Sequence, residues 1–254
     1  MAYSSIAKPT DHFNTVTYTG NGSSGHAITG VGFQPDWTWI KSRSASTEHV
    51  LTDSVRGVTK ELKSNDNGEE ETEAQGLTAF GTDGFTIGSD SSFNTNSATY
   101  VSWNWLAANG TASNSDGSAT STVSANTTAG FSIVSYTGNE TAKTIGHGLG
   151  AIPQIVITKN RSTTGQWAMY NRNLGANKNL HLETTDAAAS SSAVFNDTES
   201  TSSVFSVGSA VMTNDNGSNF IAYCFAEKKG YSKFGTYTGN GNADGTFVYT
   251  GFKP

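Results

Sequence analysis

The sequence predicts an all-β protein built from two tandem antiparallel β-sandwich domains, of jelly-roll or concanavalin-like character. Short runs of alternating apolar and polar residues lie between clusters of Gly, Asn, Asp and Ser, which is typical of many short antiparallel strands. One phrase, Tyr-Thr-Gly-Asn followed at a fixed distance by Gly-x-x-Pro, occurs in residues 18–35, 136–153 and 237–254. An ungapped match of this kind indicates an internal repeat, and the 254 residues are enough for two domains.

The composition excludes several classes of partner. Charged residues make up 14% of the chain, against roughly 25% in ordinary soluble domains, and the net charge is −6. No basic run is present, so we expect no nucleic acid partner, because phosphate binding needs clustered Lys and Arg. No apolar run is long enough for membrane insertion.

The single cysteine, Cys224, excludes an intrachain disulfide. The first residues lack the pattern of a secretory signal. Synthesis in a cytosol and a surface rich in hydroxyls and amides together suggest release by lysis, as for virion proteins.

The first half divides into an N-terminal arm, residues 1–12, and a first sandwich repeat, residues 13–107. Its last strand-like run is 100–105, where Val101, Trp103 and Trp105 alternate with more polar residues. Side chains alternate across a sheet, so we expect these three to form the core face. Only residues 53–64 hint at a helix, and a long loop or a single helical turn fits them equally well.

The second half begins with residues 108–129, which are almost wholly small and polar and are predicted to be a linker, with room for one strand around Thr122 and Val123. Residues 130–230 form a second sandwich repeat that follows the first at a nearly constant offset, with Tyr136 at the place of Tyr18. Residues 231–254 are a partial third repeat that contains only the opening strands. Those strands could complete the second sheet, pair with a neighbouring subunit or begin another domain.

The residues give little sign of catalysis, so we expect no enzyme, no cofactor and no metal site. The five histidines lack a metal-ligand spacing, and no nucleophile elbow or phosphate loop is present. The carboxylates in residues 69–73 could include a glycosidase pair, but an exposed acidic loop explains them better. Residues 65–68 and 214–217 offer oxygen ligands beside a Gly, and ordinary turns are favoured there over calcium sites.

Two pairs of basic residues are candidates for binding an anion. Lys41 and Arg43 end one predicted strand, and Lys159 and Arg161 end its counterpart. Each pair lies on one face of its strand and could hold a phosphate or a uronate of a surface glycan. The alternative is a structural role, in which the charges keep an apolar strand from pairing edge to edge with another chain.

The tryptophans are the second set of candidates. Aromatic faces stack on sugar rings, so Trp103 and Trp105 could belong to a lectin-like site. The alternation of the strands favours a core position for most of the five tryptophans, Trp37, Trp39 and Trp167 being the others.

Several stretches resemble a tandem-repeat domain of unknown function from the virion structural and tail-fibre-like proteins of marine tailed bacteriophages. They are residues 130–139, 146–153 and 159–162, the run 220–227 with 230–235, and 32–36 with 39–41. The resemblance implies a virion location and brings no catalytic residues. We therefore expect a phage tail-fibre or surface-appendage component that self-associates and contacts other virion proteins, with a cell-surface glycan as its candidate ligand. A capsid decoration protein and a tail-associated polysaccharide-degrading enzyme are the alternatives.

Overall fold

The structure, a computed structural model, describes residue 4 and residues 6–252, and almost all of its regular elements are strands. The strands of the first half are β1 (Phe13–Thr19), β2 (His26–Thr29), β3 (Trp37–Ser42), β4 (Val50–Asp53), β5 (Lys60–Lys63), β6 (Glu71–Thr72), β7 (Leu77–Gly81), β8 (Gly84–Ile87) and β9 (Thr99–Trp105). Those of the second half are β10 (Ala112–Asn114), β11 (Ser121–Asn126), β12 (Phe131–Thr137), β13 (Lys143–Gly146), β14 (Pro153–Asn160), β15 (Ala168–Asn171), β16 (Lys178–Asn179), β17 (Ala189–Ser190), β18 (Val204–Val207) and β19 (Asn219–Ala226). The helices are single turns, α1 (Ser91–Asn94), α2 (Ser192–Phe195) and α3 (Val211–Asn214), with 3-10 turns at Pro9–Asp11 and Arg172–Leu174.

These strands form two large antiparallel sheets and three small ones. The first large sheet has the order β1-β9-β3-β4-β5-β6, and the second has the order β10-β11-β12-β19-β14-β15. The strands β2-β8-β7 form a small sheet in the first half, and the pairs β13-β18 and β16-β17 form small sheets in the second. The all-β prediction is therefore confirmed. No helix in the described residues is long and apolar enough to cross a membrane.

Each large sheet covers one hydrophobic core within its own half of the chain. In the first half, the core joins the first large sheet to β2-β8-β7 through residues such as Ile40, Tyr100 and Phe85. In the second half, the corresponding core contains Val156, Phe220 and Phe205. Alternating strand residues supply both cores, because successive side chains point to opposite faces of a sheet.

A third apolar cluster lies where the outer faces of the two large sheets meet. Trp37 of β3 is at its centre and is 1% exposed. Its ring stacks on that of Tyr223 of β19, with the ring centroids 4.2 Å apart and the planes at 15°. Leu51 and Leu62 from the first large sheet pack into the same cluster as Ile133 from the second. The two large sheets therefore share a buried interface, and the protein has cores within and between its halves.

The first two copies of the Tyr-Thr-Gly-Asn phrase make the same contacts. The hydroxyl of Tyr18 donates to the carbonyl of Phe93 at 2.8 Å, and the hydroxyl of Tyr136 donates to the carbonyl of Thr213 at 2.8 Å. Both carbonyls belong to the single-turn helices that precede β9 and β19. The phrase thus ties the end of one strand to the turn that leads into its neighbour.

The asparagine partners of these turns also match. The side chain of Asn94 accepts a hydrogen bond from the amide of Asn21, and that of Asn214 accepts one from the amide of Asn139. Both asparagines are fully buried. A buried amide with satisfied hydrogen bonds stabilises one backbone arrangement. The phrase is therefore a structural element in these two copies.

Three local predictions differ from the structure. Residues 53–64, a possible helix, are instead the end of β4, a turn and β5. The predicted linker, 108–129, contains β11, where one strand was expected around residues 122 and 123, and also β10; both extend the second large sheet beyond β12. Its polar composition suits an edge strand, which needs few core side chains; Val123 supplies one. No strand is assigned in residues 231–252, where opening strands were predicted. Residues 1–3, 5, 253 and 254 of the predicted arm and third repeat lie outside the described residues.

The predicted faces of β9 are reversed. Tyr100, Ser102 and Asn104 are fully buried, whereas Trp103 and Trp105 are only half-buried. Small polar residues are tolerated on the covered face of β9. Tyr100 fills the first core there, while Ser102 and Asn104 lie between the neighbouring strands β1 and β3. The more apolar face of β9 points away from that core. Hydrophobicity alone predicted the wrong side, since this sheet is covered in part on both faces.

Candidate functional site

The half-buried tryptophans of β3 and β9 form a shelf that consists of Trp39, Trp103 and Trp105. Trp39 and Trp103 lie directly opposite each other in the antiparallel pair, and Trp105 lies opposite Trp37. The register therefore puts all four indoles on one face of the first large sheet. Trp37 is covered by the second large sheet, while the other three line a shallow cavity of about 320 Å³. We call these three residues the tryptophan shelf.

The rings of the tryptophan shelf are held by aromatic contacts. The ring centroids of Trp39 and Trp103 are 6.2 Å apart, with the planes at 69°. The ring of Trp105 lies 4.3 Å from that of Trp37 and 4.8 Å from that of Phe13. An indole packed against a buried neighbour loses little further freedom when a ligand binds. The tryptophan shelf is therefore a preorganised apolar surface.

Polar groups lie along the rim of the tryptophan shelf. Thr15 of β1 is opposite Trp103, and Thr17 is opposite Val101; both threonines are exposed. Within the described residues, the indole N–H groups of Trp39 and Trp103 have no hydrogen-bond acceptor. Rings that offer an apolar face and a free donor, next to hydroxyl groups, fit a ligand that has both C–H and O–H groups. A sugar ring has this chemistry.

Lys41 adds a positive charge to the same face. It follows Trp39 by two positions in β3 and lies opposite Val101. Arg43 follows the end of β3 and is exposed. Neither side chain forms an ion pair with any residue that the structure describes. Burial and the charge of Lys41 both lower the pKa of His49, so that histidine adds no positive charge at neutral pH. The basic pair at this edge is therefore available to an anion.

The second predicted basic pair is engaged within the protein. Arg161 forms a bidentate contact with Glu70, with Nε–Oε2 and NH2–Oε1 distances of 2.8 and 3.0 Å. Lys159 is fully buried, and its ammonium donates to the carbonyls of Asn67 and Asn160. Burial lowers the pKa of Lys159 to about 8. The sequence treats the two pairs as equivalent, but only Lys41 and Arg43 are near an open surface.

A buried charged network accounts for part of the acidic run. Arg56 is fully buried and contacts Asp53 and Glu70. The hydroxyl of Tyr223 donates to Asp53 at 2.7 Å, and Arg56 donates to the same hydroxyl at 3.3 Å. Desolvation raises the pKa of Tyr223 well above its usual value. These groups are closed off from solvent between the two large sheets, so the network joins the halves of the chain and is not exposed to a substrate.

Among the described residues, Glu61 is the carboxylate whose pKa is shifted furthest from its usual value. It is 6% exposed, lies opposite Glu71 in the pairing of β5 with β6, and has one oxygen without a hydrogen bond. Burial raises its pKa to about 7, against a smaller opposing effect of Lys63. A raised carboxylate pKa is typical of general acids.

The Asn- and Asp-rich turns use their side chains locally. Asp66 accepts a hydrogen bond from the backbone amide of Gly68. Asn214 is fully buried, where it holds the second phrase copy. Across residue 4 and residues 6–252, no group of three or more His, Cys, Asp or Glu side chains is placed to hold a metal ion.

Trp39 was not among the site residues predicted from the sequence. Trp103 and Trp105 were predicted, because they lie two positions apart in one strand and alternation puts them on the same face. Trp39 joins them only through the pairing of β3 with β9. Two strands that each carry tryptophans at every second position give a signal for such a cluster, once their pairing is assumed.

Comparison with known proteins gives a family but no chemistry. The family described as "Domain of unknown function (DUF7483)" matches residues 8–254. No curated protein and no solved structure matches the chain.

Proposed function

The chain belongs to the DUF7483 family, a domain of unknown function, and from its site we propose that it is a glycan-binding structural protein of a phage tail fibre or other surface appendage. The tryptophan shelf with its neighbouring basic pair, Lys41 and Arg43, binds an acidic polysaccharide at the host surface. The protein is made in the host cytoplasm and becomes part of the virion. Its partners are further copies of itself, other virion proteins and the glycan. Catalysis is not part of the proposal.

One observation supports the glycan most directly. Three indoles are left half-exposed on one sheet face, although a fourth on the same face, Trp37, is fully covered. Large aromatic groups on a surface mark a binding site more often than chance, because exposing them to water is unfavourable. Stacking against sugar C–H groups removes that surface from water, and the rim hydroxyls of Thr15 and Thr17 can bond to sugar hydroxyls.

The charge of the neighbouring residues supports an acidic glycan over a neutral one. Lys41 lies on the face of the tryptophan shelf, and Arg43 follows it at the edge of the sheet. The protein has an overall net charge of −6, so a local basic pair without ion-pair partners is conspicuous. A carboxylate on a stacked sugar would lie near both cations.

The fold supports a structural role. We propose that each half of the chain is a β-sandwich in which one large sheet covers a smaller one. The two sandwiches stand in tandem and share the interface around Trp37 and Tyr223. Such a stack is rigid and holds a binding face in a fixed direction.

Binding to two soluble polysaccharides tests the proposal. The probes are alginate, a uronate polymer, and dextran, a neutral one, both followed by isothermal titration calorimetry. We expect alginate to bind in preference to dextran, and Trp103→Ala to weaken its binding by about tenfold. Lys41→Gln should weaken alginate binding and make it less sensitive to salt, with little effect on dextran.

Tyr237→Ala is the matched control, because Tyr237 is 71% exposed and lies outside the tryptophan shelf. It should leave alginate binding unchanged. Equal binding by the wild type and Trp103→Ala, or no binding of either polysaccharide, would overturn the assignment of the shelf.

A further inference from the structure

The outer edge of β1 has no neighbouring strand within the described residues. β1 pairs with β9 alone, whereas its counterpart β12 pairs with β19 on one side and β11 on the other. The two large sheets therefore differ at this place, one open and the other closed. An open edge presents unpaired N–H and C=O groups, which pair readily with another strand.

The side chains at the two edges show what is missing. Val134 of β12 lies opposite Val123 of β11 and is fully buried. Val16 occupies the corresponding place in β1 and is only half-buried, although it packs against the first core. The neighbouring tyrosines differ in the same direction, since Tyr136 is 3% exposed and Tyr18 is half-buried. An added strand with one inward apolar residue would close the first large sheet as β11 closes the second.

The same chain carries an unpaired segment with the properties of such a strand. Residues 246–250 read Thr-Phe-Val-Tyr-Thr, all of which favour strands. Phe247 is 86% exposed, Val248 is 51% exposed and Tyr249 is 77% exposed. No strand is assigned to this segment. Three adjacent large apolar side chains in water are unfavourable and indicate a surface that another element covers.

Neither surface carries the charges that usually protect an open edge. Natural edge strands are commonly guarded by Lys or by Pro. Residues 13–19 and residues 245–252 contain no charged residue and no proline. The edge of β1 and residues 246–250 both lack the charges and prolines that would hinder strand pairing. They are thus compatible with each other.

We propose that residues 246–250 of one copy add as a strand to the open edge of β1 of a second copy. Edge and segment stand unpaired in the same molecule, and pairing between copies satisfies both. Val248 then faces inward beside Val16, while Phe247 and Tyr249 lie on the opposite face, beside Thr15 and Thr17. Because different surfaces meet in this contact, it is head-to-tail, and it builds either a ring or a filament.

Cross-linking between two separately prepared variants tests the contact. Thr17→Cys and Tyr249→Cys are purified, mixed and treated with a short bismaleimide. The native thiol of Cys224 is fully buried, and burial raises its pKa, so it does not compete. We expect a covalent pair in the mixture. Ser113→Cys replaces Thr17→Cys as the control, because Ser113 lies on the exposed edge strand β10 of the second large sheet, and this mixture should give no pair.

The double variant Thr17→Cys/Tyr249→Cys distinguishes pairing between copies from pairing within one. Cross-linked products of more than one chain are expected. A cross-linked monomer at low concentration would overturn the proposal, because the segment would then reach the edge of its own β1.

Sedimentation velocity of the unmodified protein gives an independent readout. The wild type should self-associate as its concentration rises, and Val248→Lys should dissociate it by burying a charge in the contact. Val211→Lys is the control, because Val211 is 55% exposed in α3, outside both β1 and residues 246–250, and should not affect association. A wild type that remains monomeric at all concentrations would also overturn the proposal. Sedimentation is measured without polysaccharide, so its outcome does not depend on glycan binding at the tryptophan shelf.

Discussion

Arg161 and Glu70 form a bidentate ion pair across the interface between the two large sheets, although 91 positions separate them in the chain. Glu70 also contacts the buried guanidinium of Arg56. The carboxylate of Glu70 thus contacts one cation from each half of the chain. This contact explains why one glutamate of the acidic run is largely buried, and it gives the interface a fixed register in addition to its apolar packing.

Removing the charge of Glu70 should destabilise the protein strongly. Glu70→Gln leaves Arg56 buried with one partner fewer, and we expect a loss of about 3 kcal/mol in the free energy of unfolding. Urea denaturation followed by circular dichroism measures it. Glu69→Gln removes the same charge from the adjacent, exposed position and should change stability by less than about 0.5 kcal/mol. Equal effects of the two variants would contradict the role given to the ion pair.

The glycines of the repeated phrase should tolerate alanine only in the third copy. A Cβ atom on Gly20 would lie 2.2 Å from the carbonyl oxygen of Thr95, and one on Gly138 would lie 2.0 Å from that of Asp215. Backbone atoms cannot yield easily, so each substitution should cost about 2–3 kcal/mol. A Cβ on Gly239 meets nothing within 4 Å, and Gly239→Ala should be neutral. Thermal unfolding of the three variants checks this, and a tolerated Gly138→Ala would be inconsistent with the packing.

Trp37 should contribute more to stability than any residue of the tryptophan shelf. Trp37→Ala removes a ring that stacks on Tyr223 and packs against Trp105, and should cost about 3–5 kcal/mol. The indole N–H of Trp37 has no hydrogen-bond partner, so Trp37→Phe loses no hydrogen bond and should recover much of that stability. Trp103→Ala should cost only about 1 kcal/mol, because its ring is half-exposed. Guanidinium denaturation ranks the three, and the reverse order would refute the assignment of Trp37 to the interface.

Glu61 should make stability depend on pH near neutrality. Its pKa is raised from 4.5 to about 7 on folding, so between these values the folded state holds a proton that the unfolded state has released. The contribution of Glu61 to stability is therefore greatest at low pH and declines as pH rises from about 4.5 to 7. Glu61→Gln should remove this decline. Unfolding measured at several pH values tests it, and an unchanged pH profile in Glu61→Gln would show that other groups cause the dependence.

Much of the architecture could be predicted from the sequence because it depends on local patterns. Alternation in runs such as 100–105 marked strands, and Gly and Asn clusters marked turns. The repeated phrase identified Tyr18 and Tyr136 as corresponding residues, and the structure gives both the same hydrogen bond. The polar composition of 108–129 was a poor guide, since an edge strand can be built from small polar residues.

The candidate site was harder to predict, because it depends on which strands pair and which faces are covered. Alternation shows that Trp103 and Trp105 share a face, but not whether that face lies inside. Lys41 and Lys159 occupy corresponding positions in the two repeats, yet one lies beside the tryptophan shelf and the other is fully buried. Their environments differ because the halves of the chain meet asymmetrically.

By itself the sequence determined the all-β class, the position of strands such as β9 and the correspondence of the first two phrase copies, since all of these follow from spacing along the chain. Only the tertiary structure decided that Trp39 joins Trp103, that Arg161 is engaged by Glu70 and that the edge of β1 is open. These facts arise from contacts between residues far apart in the chain, where sheet pairing and the packing of one half on the other override local preference.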